Sequence, residues 1–469
     1  MRALHWFRSD LRLRDNTALA AAAGRAEALA CVFVLDDRLL RGSRVGPPRL
    51  RFLCDALQAL AVDLDRRGHR LLLRRGDPVR EIPRLLDQSR AGLLSFNRDP
   101  GPYARRRDLR VRQAAEKAGV EVLERKDRVL FESGEVRTGS GGPFRVFTPF
   151  RNAWMRKLRE EGGPPSRAVR LPRPIARLAA GRPPSLAELG AAEDETEIPR
   201  ASASAGRRRL ARFLAGPVGA YAERRDFPAV DGTSRLSPYL RWGLLSPRAS
   251  VEAAREIAAR EPRRAKGAGK WLDELVWREF YSAILEEHPR VLRGSFRPEL
   301  AAVEWDDDEE RFRAWCEGRT GYPFVDAAMR QLAREGWMHN RARMVVASFL
   351  TKDLLLDWRR GEAFFMERLV DGDPASNNGG WQWAASTGAD AQPYFRIFNP
   401  VSQGERFDPD GGYVRRYVPE LEGVPARFLQ KPWLAPVPPK AYPPPIVDHA
   451  TQRRLALDRY QKARAGARR

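Results

Sequence analysis

The chain has 469 residues, 43% of them apolar, which is enough for two or three domains with a large core. It holds no run of ~18 or more apolar residues, and its first residues, MRALHWFRSDLRLRDN, carry charges where a secretion signal needs an apolar stretch. A membrane or exported protein is therefore excluded as an expectation, and a cytoplasmic one is expected. Lys+Arg number 84 against 61 Asp+Glu, a formal charge of +23. That surplus suits a polyanionic partner, although arginines spread along the whole chain also fit a general arginine bias.

Short apolar runs alternate with helical stretches over the first 128 residues. Ala3–Phe7, Leu29–Leu35, Arg70–Arg74, Leu93–Phe96 and Val120–Leu123 read as strands. Asn16–Ala23 and Leu50–Arg67 read as helices between them. The alternation predicts an α/β domain with a Rossmann-like parallel sheet covered on both faces. No GxGxxG follows the first strand, so a ligand here is expected at the carboxyl ends of the strands, near Phe7–Asp10, Phe33–Asp37 and Asn97–Asp99. Residues 129–200 read as a linker, with Gly162–Ser185 too rich in Pro and Gly for a regular element. From 201 to 469 the pattern is all-α. Phe324–Glu335 is expected to end at Gly336, and Thr351–Arg360 at Gly361. Ten of the twelve tryptophans lie in this last region.

Cys31, Cys54 and Cys316 form no close-spaced pair, and the five histidines are scattered. No metal site is expected. Five constellations carry possible chemistry. DGTSRLSPYLRWG (231–243) gathers Thr233, Ser234 and Ser237 around Arg235, either as a phosphate site or as an ordinary helix cap. In WLDELVWREFYSAIL (271–285), Leu272, Val276, Phe280, Ala283 and Ile284 make the apolar stripe. Trp271, Glu274, Trp277, Arg278 and Tyr281 fall largely elsewhere, suiting a flat heteroaromatic ligand, an unstacked base or packing between helices. GWMHNRARM (336–344) puts Asn340, Arg343 and Met344 on one helical face. In DGDPASNNGGWQWAASTGADAQPYFRIFNP (371–400), Asp371 and Asp373 open like a calcium loop. Ser376 replaces the required Gly and Gln382 the required Glu, which rejects calcium. Trp381 and Trp383 face one way if that segment is extended and splay if it is helical. Trp305, Trp358 and Trp381 lie on separate elements, either as packing or as a chain of oxidisable indoles.

HWFRSDLRLRDNTAL, FTPFRNAW, YAERRDFPAVDGTSRLSPYLRWG, WLDELVWREFYSAIL, GYPFVDAAMRQLAREGWMHNRARM, DWRRGEAFFMERLVDGDPASNNGGWQW and YFRIFNP resemble, in order, blocks of the photolyase/cryptochrome family. The resemblance runs from residue 5 to about 435. It implies an antenna domain over 1–128, a linker over 129–200 and a helical FAD-binding catalytic domain over 201–469. It assigns FAD contacts to Tyr221, Thr233, Ser234, Arg235, Leu236, Ser237, Trp271, Arg278, Arg343, Asp371 and Asp373. Asn377 matches the residue beside flavin N5. Trp381, Trp358 and Trp305 match a photoreduction chain. Arg225, Glu274, Trp277, Arg278, Tyr281, Asn340, Arg341, Met344 and Trp383 match positions that meet DNA or a flipped lesion, with Glu274, Asn340 and Asn377 in catalytic roles.

What the resemblance implies is light-driven splitting of cyclobutane pyrimidine dimers by an electron from reduced FAD. The expected partner is UV-damaged DNA, with the protein a monomer needing no obligate protein partner. SFNRDPGPYARRRD looks more like members with a deazaflavin or FMN antenna than like those with a folate. A cryptochrome-type photoreceptor and (6-4) photoproduct repair are the alternative readings within the family. A basic helical nucleic-acid-binding protein without light chemistry is the alternative outside it.

Overall fold

A computed structural model describes residues 1–42, 44–162 and 168–467. The chain divides into two compact units that interleave along the sequence. One comprises Met1–Asp194, Pro199–Gly219 and Ser234–Pro289; the other comprises Glu195–Ile198, Ala220–Thr233 and Arg290–Arg469.

The first unit is built on a parallel sheet. Its strands are β1 (Arg2–Phe7), β2 (Ala28–Leu35), β3 (Leu71–Arg75), β4 (Leu93–Asn97) and β5 (Glu121–Arg125), in the order β3-β2-β1-β4-β5. Each begins within a residue or two of its predicted position. Strand β2, ALACVFVL, is buried at all eight positions, as a strand covered on both faces must be. The helices between strands start in the usual way: Pro47–Asp65, Pro78–Ser89 and Pro102–Lys117 all carry Pro in their first turn. Residues 163–167 of the predicted linker lie outside the described residues, and its described part is more ordered than its composition suggests. Within it β6 (Arg173–Pro174) pairs with β2, and Leu73 N donates to Ala180 O at 2.6 Å. The segment thus covers the exposed edge of β3. A two-residue strand containing Pro has no alternation to read, which is why the sequence hid it.

The strand order reverses between β1 and β4, where open α/β sheets usually leave a crevice for ligands. Here side chains fill it. Asn97 Nδ2 donates to Asp10 Oδ2 and Asn16 Oδ1 at 2.6 and 2.8 Å. Arg12 and Arg248 both reach Asp127 Oδ1 at 2.7 Å. Burial penalises the Asp127 carboxylate, but the two guanidiniums outweigh that cost and hold its pKa below the usual value.

The second unit is helical around one aromatic and aliphatic core that includes Phe324, Trp315, Phe349, Trp358, Phe365, Trp381 and Tyr413. The helix Pro323–Glu335 ends, as predicted, at Gly336 in the left-handed conformation (φ 57°). The expected helix Thr351–Arg360 is not formed. Instead Phe349–Asp353 makes a π-helical turn, Leu355 has φ 55°, and a new helix runs over Trp358–Arg368 with Gly361 inside it. Gly361 is not a cap. A Cβ there would meet the Trp381 ring, so the glycine serves packing and its sequence signal was misread. Among the described residues no helix is long and apolar enough to cross a membrane.

Candidate functional site

The first unit carries the aromatic helix. Pro262–Glu287 is one 26-residue helix. Its buried face is wider than the predicted stripe and takes in Trp271, Leu275 and Glu279. Trp271 packs edge-on against Phe213 at 5.1 Å. Trp277, Glu274, Arg278 and Tyr281 are half-buried on the remaining surface. Trp277 lies flat against Phe147 with centroids 3.7 Å apart and planes 7° apart, and Tyr281 leans on it at 5.4 Å. Arg278 donates to the Arg128 carbonyl at 2.6 Å.

Glu279 was missed in the sequence because a charged residue beside Phe280 reads as surface. It is buried, and it accepts from Leu130 N and Trp154 Nε1 at 2.6 Å each, and from Phe131 N at 3.3 Å. Burial raises its pKa, against the pull of those donors. It fastens the helix to the 130–131 turn and to the helix Phe147–Glu161.

Residues 234–237 belong to the same unit. Arg235 has φ 49°, Leu236 is buried, and Ser237 opens a five-residue helix whose N-cap, Leu236, makes no side-chain cap bond. The cap position of that helix is thus held by Leu236, not by a serine or threonine.

A cavity of about 630 Å³ opens in this unit beyond the ends of β4 and β5. Its lining includes Arg98, Arg105, Arg106, Arg112 and Arg128, with Phe131 and Glu279. Burial works against the Asp99 carboxylate at its edge, yet Arg128, Arg8 and Arg241 more than compensate and keep it ionised. The predicted ligand position at Asn97–Asp99 borders this cavity, whereas Phe7–Asp10 is closed by the buried polar network.

The second unit gathers Tyr221, Arg225, Thr233, Asn340, Arg341, Arg343, Met344, Asp371, Asp373, Asn377 and the remaining tryptophans. The helix Asn340–Ser348 starts at His339, whose Nδ1 accepts from Arg341 N. One turn along it, Asn340 Nδ2 lies 3.8 Å from Met344 Sδ, and Arg343 pairs with Asp371 at 2.8 Å. Arg341 pairs with Asp226 at 3.1 Å and covers the Phe407 ring. Arg225 lies over the Tyr221 ring.

Asp373 explains the false calcium signature. Its carboxylate accepts from Ala375 N and Ser376 N at 3.0 and 3.1 Å, capping the helix Pro374–Ala384. Because the segment is helical, the indoles splay: Trp381 is buried and Trp383 is half-buried. Asn377 faces Glu362, a fully buried carboxylate fifteen residues away that no local pattern marks. Its Nδ2 donates to Glu362 O at 3.0 Å and Oε1 at 3.2 Å. Since a carbonyl oxygen only accepts, it is the amide nitrogen of Asn377 that faces Glu362.

Trp358 and Trp381 both belong to the buried core, and Trp305 packs against it half-buried. Trp381 touches Phe365 at 5.0 Å and Trp315 at 6.0 Å, and Trp305 meets Tyr460 at 6.2 Å.

Comparison with known proteins accounts for both units. A family model described as DNA photolyase matches residues 3–172, and one described as the FAD binding domain of DNA photolyase matches residues 271–462. The chain is 41% identical over 476 residues to a deoxyribodipyrimidine photo-lyase of Escherichia coli, covering 99% of each. This chain belongs to the DNA photolyase family. Among solved structures, it is similar to a bacterial class III photolyase from Agrobacterium tumefaciens, with TM-score 0.89 and 38% identity, over 99% of this chain and 98% of that one. It is also similar to a cryptochrome from Synechocystis, with TM-score 0.87 and 29% identity, over 97% and 98%. The photolyase fold, an α/β sheet domain followed by a helical FAD-binding domain, is the fold seen here, and FAD is the cofactor of the photolyase-type helical part.

Proposed function

We propose that this chain repairs cyclobutane pyrimidine dimers in DNA by light-driven electron transfer from bound, reduced FAD. The observation that carries the reading is the Asn377–Glu362 lock. With its nitrogen committed to Glu362, the Asn377 amide would offer a flavin its oxygen, an acceptor that favours the N5–H form over a bare nitrogen, and only an electron-rich flavin can reduce a dimer. When bound, FAD supplies a photoexcited one-electron donor. The chain's own residues do the rest. Tyr221, Thr233, Ser234, Arg235, Leu236, Ser237 and Trp271 would hold the cofactor, and Arg343, fixed by Asp371, would set a positive charge beside it. Trp381, Trp358 and Trp305 would restore its electrons, running from buried core to half-exposed rim.

On the DNA side, Trp277 and Trp383 would stack on the flipped pyrimidines. Glu274, Asn340 and Met344 would contact their edges, with Arg225, Arg278, Tyr281 and Arg341 on the surrounding strand. The boundaries 1–128, 129–200 and 201–469 would divide antenna, linker and catalytic parts. The arginine-lined cavity of about 630 Å³ would take an anionic antenna chromophore, a deazaflavin or FMN. Asp99, Glu124 and Glu132 pair with Arg128, Arg112 and Arg98 in the same lining, so the anionic end of such a ligand would meet Arg105 and Arg106.

The test is purified, photoreduced protein incubated with dimer-containing DNA under blue light. Light-dependent loss of dimers is expected. Flavin photoreduction without dimer loss would instead favour a photoreceptor, and repair confined to (6-4) photoproducts would reassign the substrate.

A further inference from the structure

Trp277 rests on a flat aromatic stack. Phe147 and Trp277 lie 3.7 Å apart at 7°. Aromatic pairs left to themselves prefer offset or edge-on geometry over a flat sandwich. The scaffold imposes this one. Phe147 is the first residue of the helix Phe147–Glu161, which packs along Pro262–Glu287. Phe280, fully buried, meets both rings edge-on, at 5.9 Å to Phe147 and 5.6 Å to Trp277. Phe150 closes the box against Phe280 at 5.4 Å. Phe147 thus covers one face of the indole, Phe280 stands against its edge, Tyr281 leans on it at 5.4 Å, and Trp277 stays half-buried.

We propose that Phe147 is a positioning residue for damaged DNA: its flat stack fixes the plane of Trp277, on which an unstacked base then stacks. The proposal rests on the reading of Trp277 as a lesion contact. An indole held in plane need not be immobilised on binding, and freezing one free side chain weakens affinity by roughly two- to tenfold. Phe147 itself touches neither cofactor nor base in this account.

The experiment uses FAD-loaded, pre-reduced protein. Dark binding to dimer-containing and undamaged DNA is measured by anisotropy, and repair is measured at saturating DNA. Phe147→Leu keeps the apolar volume and removes the ring; Phe147→Tyr keeps the ring. Phe147→Leu is expected to weaken binding to dimer-containing DNA two- to tenfold. Binding to undamaged DNA and the repair rate at saturation should stay as in the wild type, and Phe147→Tyr should restore affinity. Equal loss on both DNAs, or no rescue by Phe147→Tyr, would show a merely structural role and overturn the proposal. Wild-type discrimination in Phe147→Leu would overturn it too, provided Trp277→Ala loses discrimination. If Trp277→Ala also discriminates normally, the lesion reading of Trp277 fails and the proposal falls with it.

Discussion

Replacing Gly361 by alanine isolates the packing that holds Trp381. Gly361 lies inside the helix Trp358–Arg368, where helix propensity alone favours alanine by about 1 kcal/mol. Its added Cβ would lie 2.5 Å from Trp381 Cζ3, nearer still to Cη2, and 2.6 Å from Leu350 Cδ2. Both side chains are buried. To regain ordinary contact, the indole edge must retreat by about 1.5 Å within a core where it already touches Phe365 and Trp315. Overpacking of this kind costs about 1–3 kcal/mol, and clashes with two buried groups belong to the upper half of that range. The net loss is then about 1–2 kcal/mol, a fall in Tm of roughly 1–2 °C for a chain of 469 residues. Thermal melting checks the stability, and the rate of light-driven flavin reduction checks the displaced indole, which should react more slowly. A higher Tm for Gly361→Ala would refute the reasoning, since propensity would then have outweighed packing.

Trp381→Phe should block photoreduction of oxidised flavin while pre-reduced protein still repairs dimers; loss of both activities would give Trp381 a structural or substrate role. Asn377→Leu removes the amide that donates to Glu362 together with its acceptor oxygen. Reduced flavin should then oxidise in air roughly tenfold faster, the equivalent of one hydrogen bond of about 1–1.5 kcal/mol, with FAD content unchanged by absorbance. Lys352 is buried in the π-helical turn, its Nζ donating to Ser386 Oγ at 3.0 Å, and burial pulls its pKa down to about 7. The unfolded chain, with a lysine pKa of 10.5, therefore binds a proton that the folded chain lacks between those values. Stability should rise with pH above 7, by about 2 kcal/mol from pH 7.5 to 9, and be lost as pH falls back through 7. Asp353, raised to about 6 by burial, titrates below that window. Urea midpoints of Lys352→Met should not move between pH 7.5 and 9; a retained slope would place the titration elsewhere.

Much of the fold was legible because its signals are local. Fully apolar runs such as ALACVFVL mark strands covered on both faces, and Gly336 marks a helix end through its own φ. The long blocks from Tyr221 to Pro400 carried the family resemblance, and with it the named residues. Gly361 was misread for a physical reason: a glycine that ends a helix and one that yields room to an indole look identical in sequence. Glu279 and Glu362 were invisible for another. A buried carboxylate is identified by the donors that reach it, and those come from residues 130, 131 and 154 in one case and from Asn377 in the other.

The sequence by itself determined the alternating α/β beginning, the helical remainder, the excess of positive charge and the residue types available for flavin and base contacts. Each depends on composition and spacing along the chain. The tertiary structure decided which of those residues have partners. It turned Asp373 from half of a calcium loop into a helix cap, and it splayed Trp381 from Trp383. It closed the β1–β4 crevice with Asp10, Asn16 and Asn97, and it laid Phe147 flat on Trp277. These outcomes depend on contacts between residues far apart in the chain, and only the packed core fixes those distances.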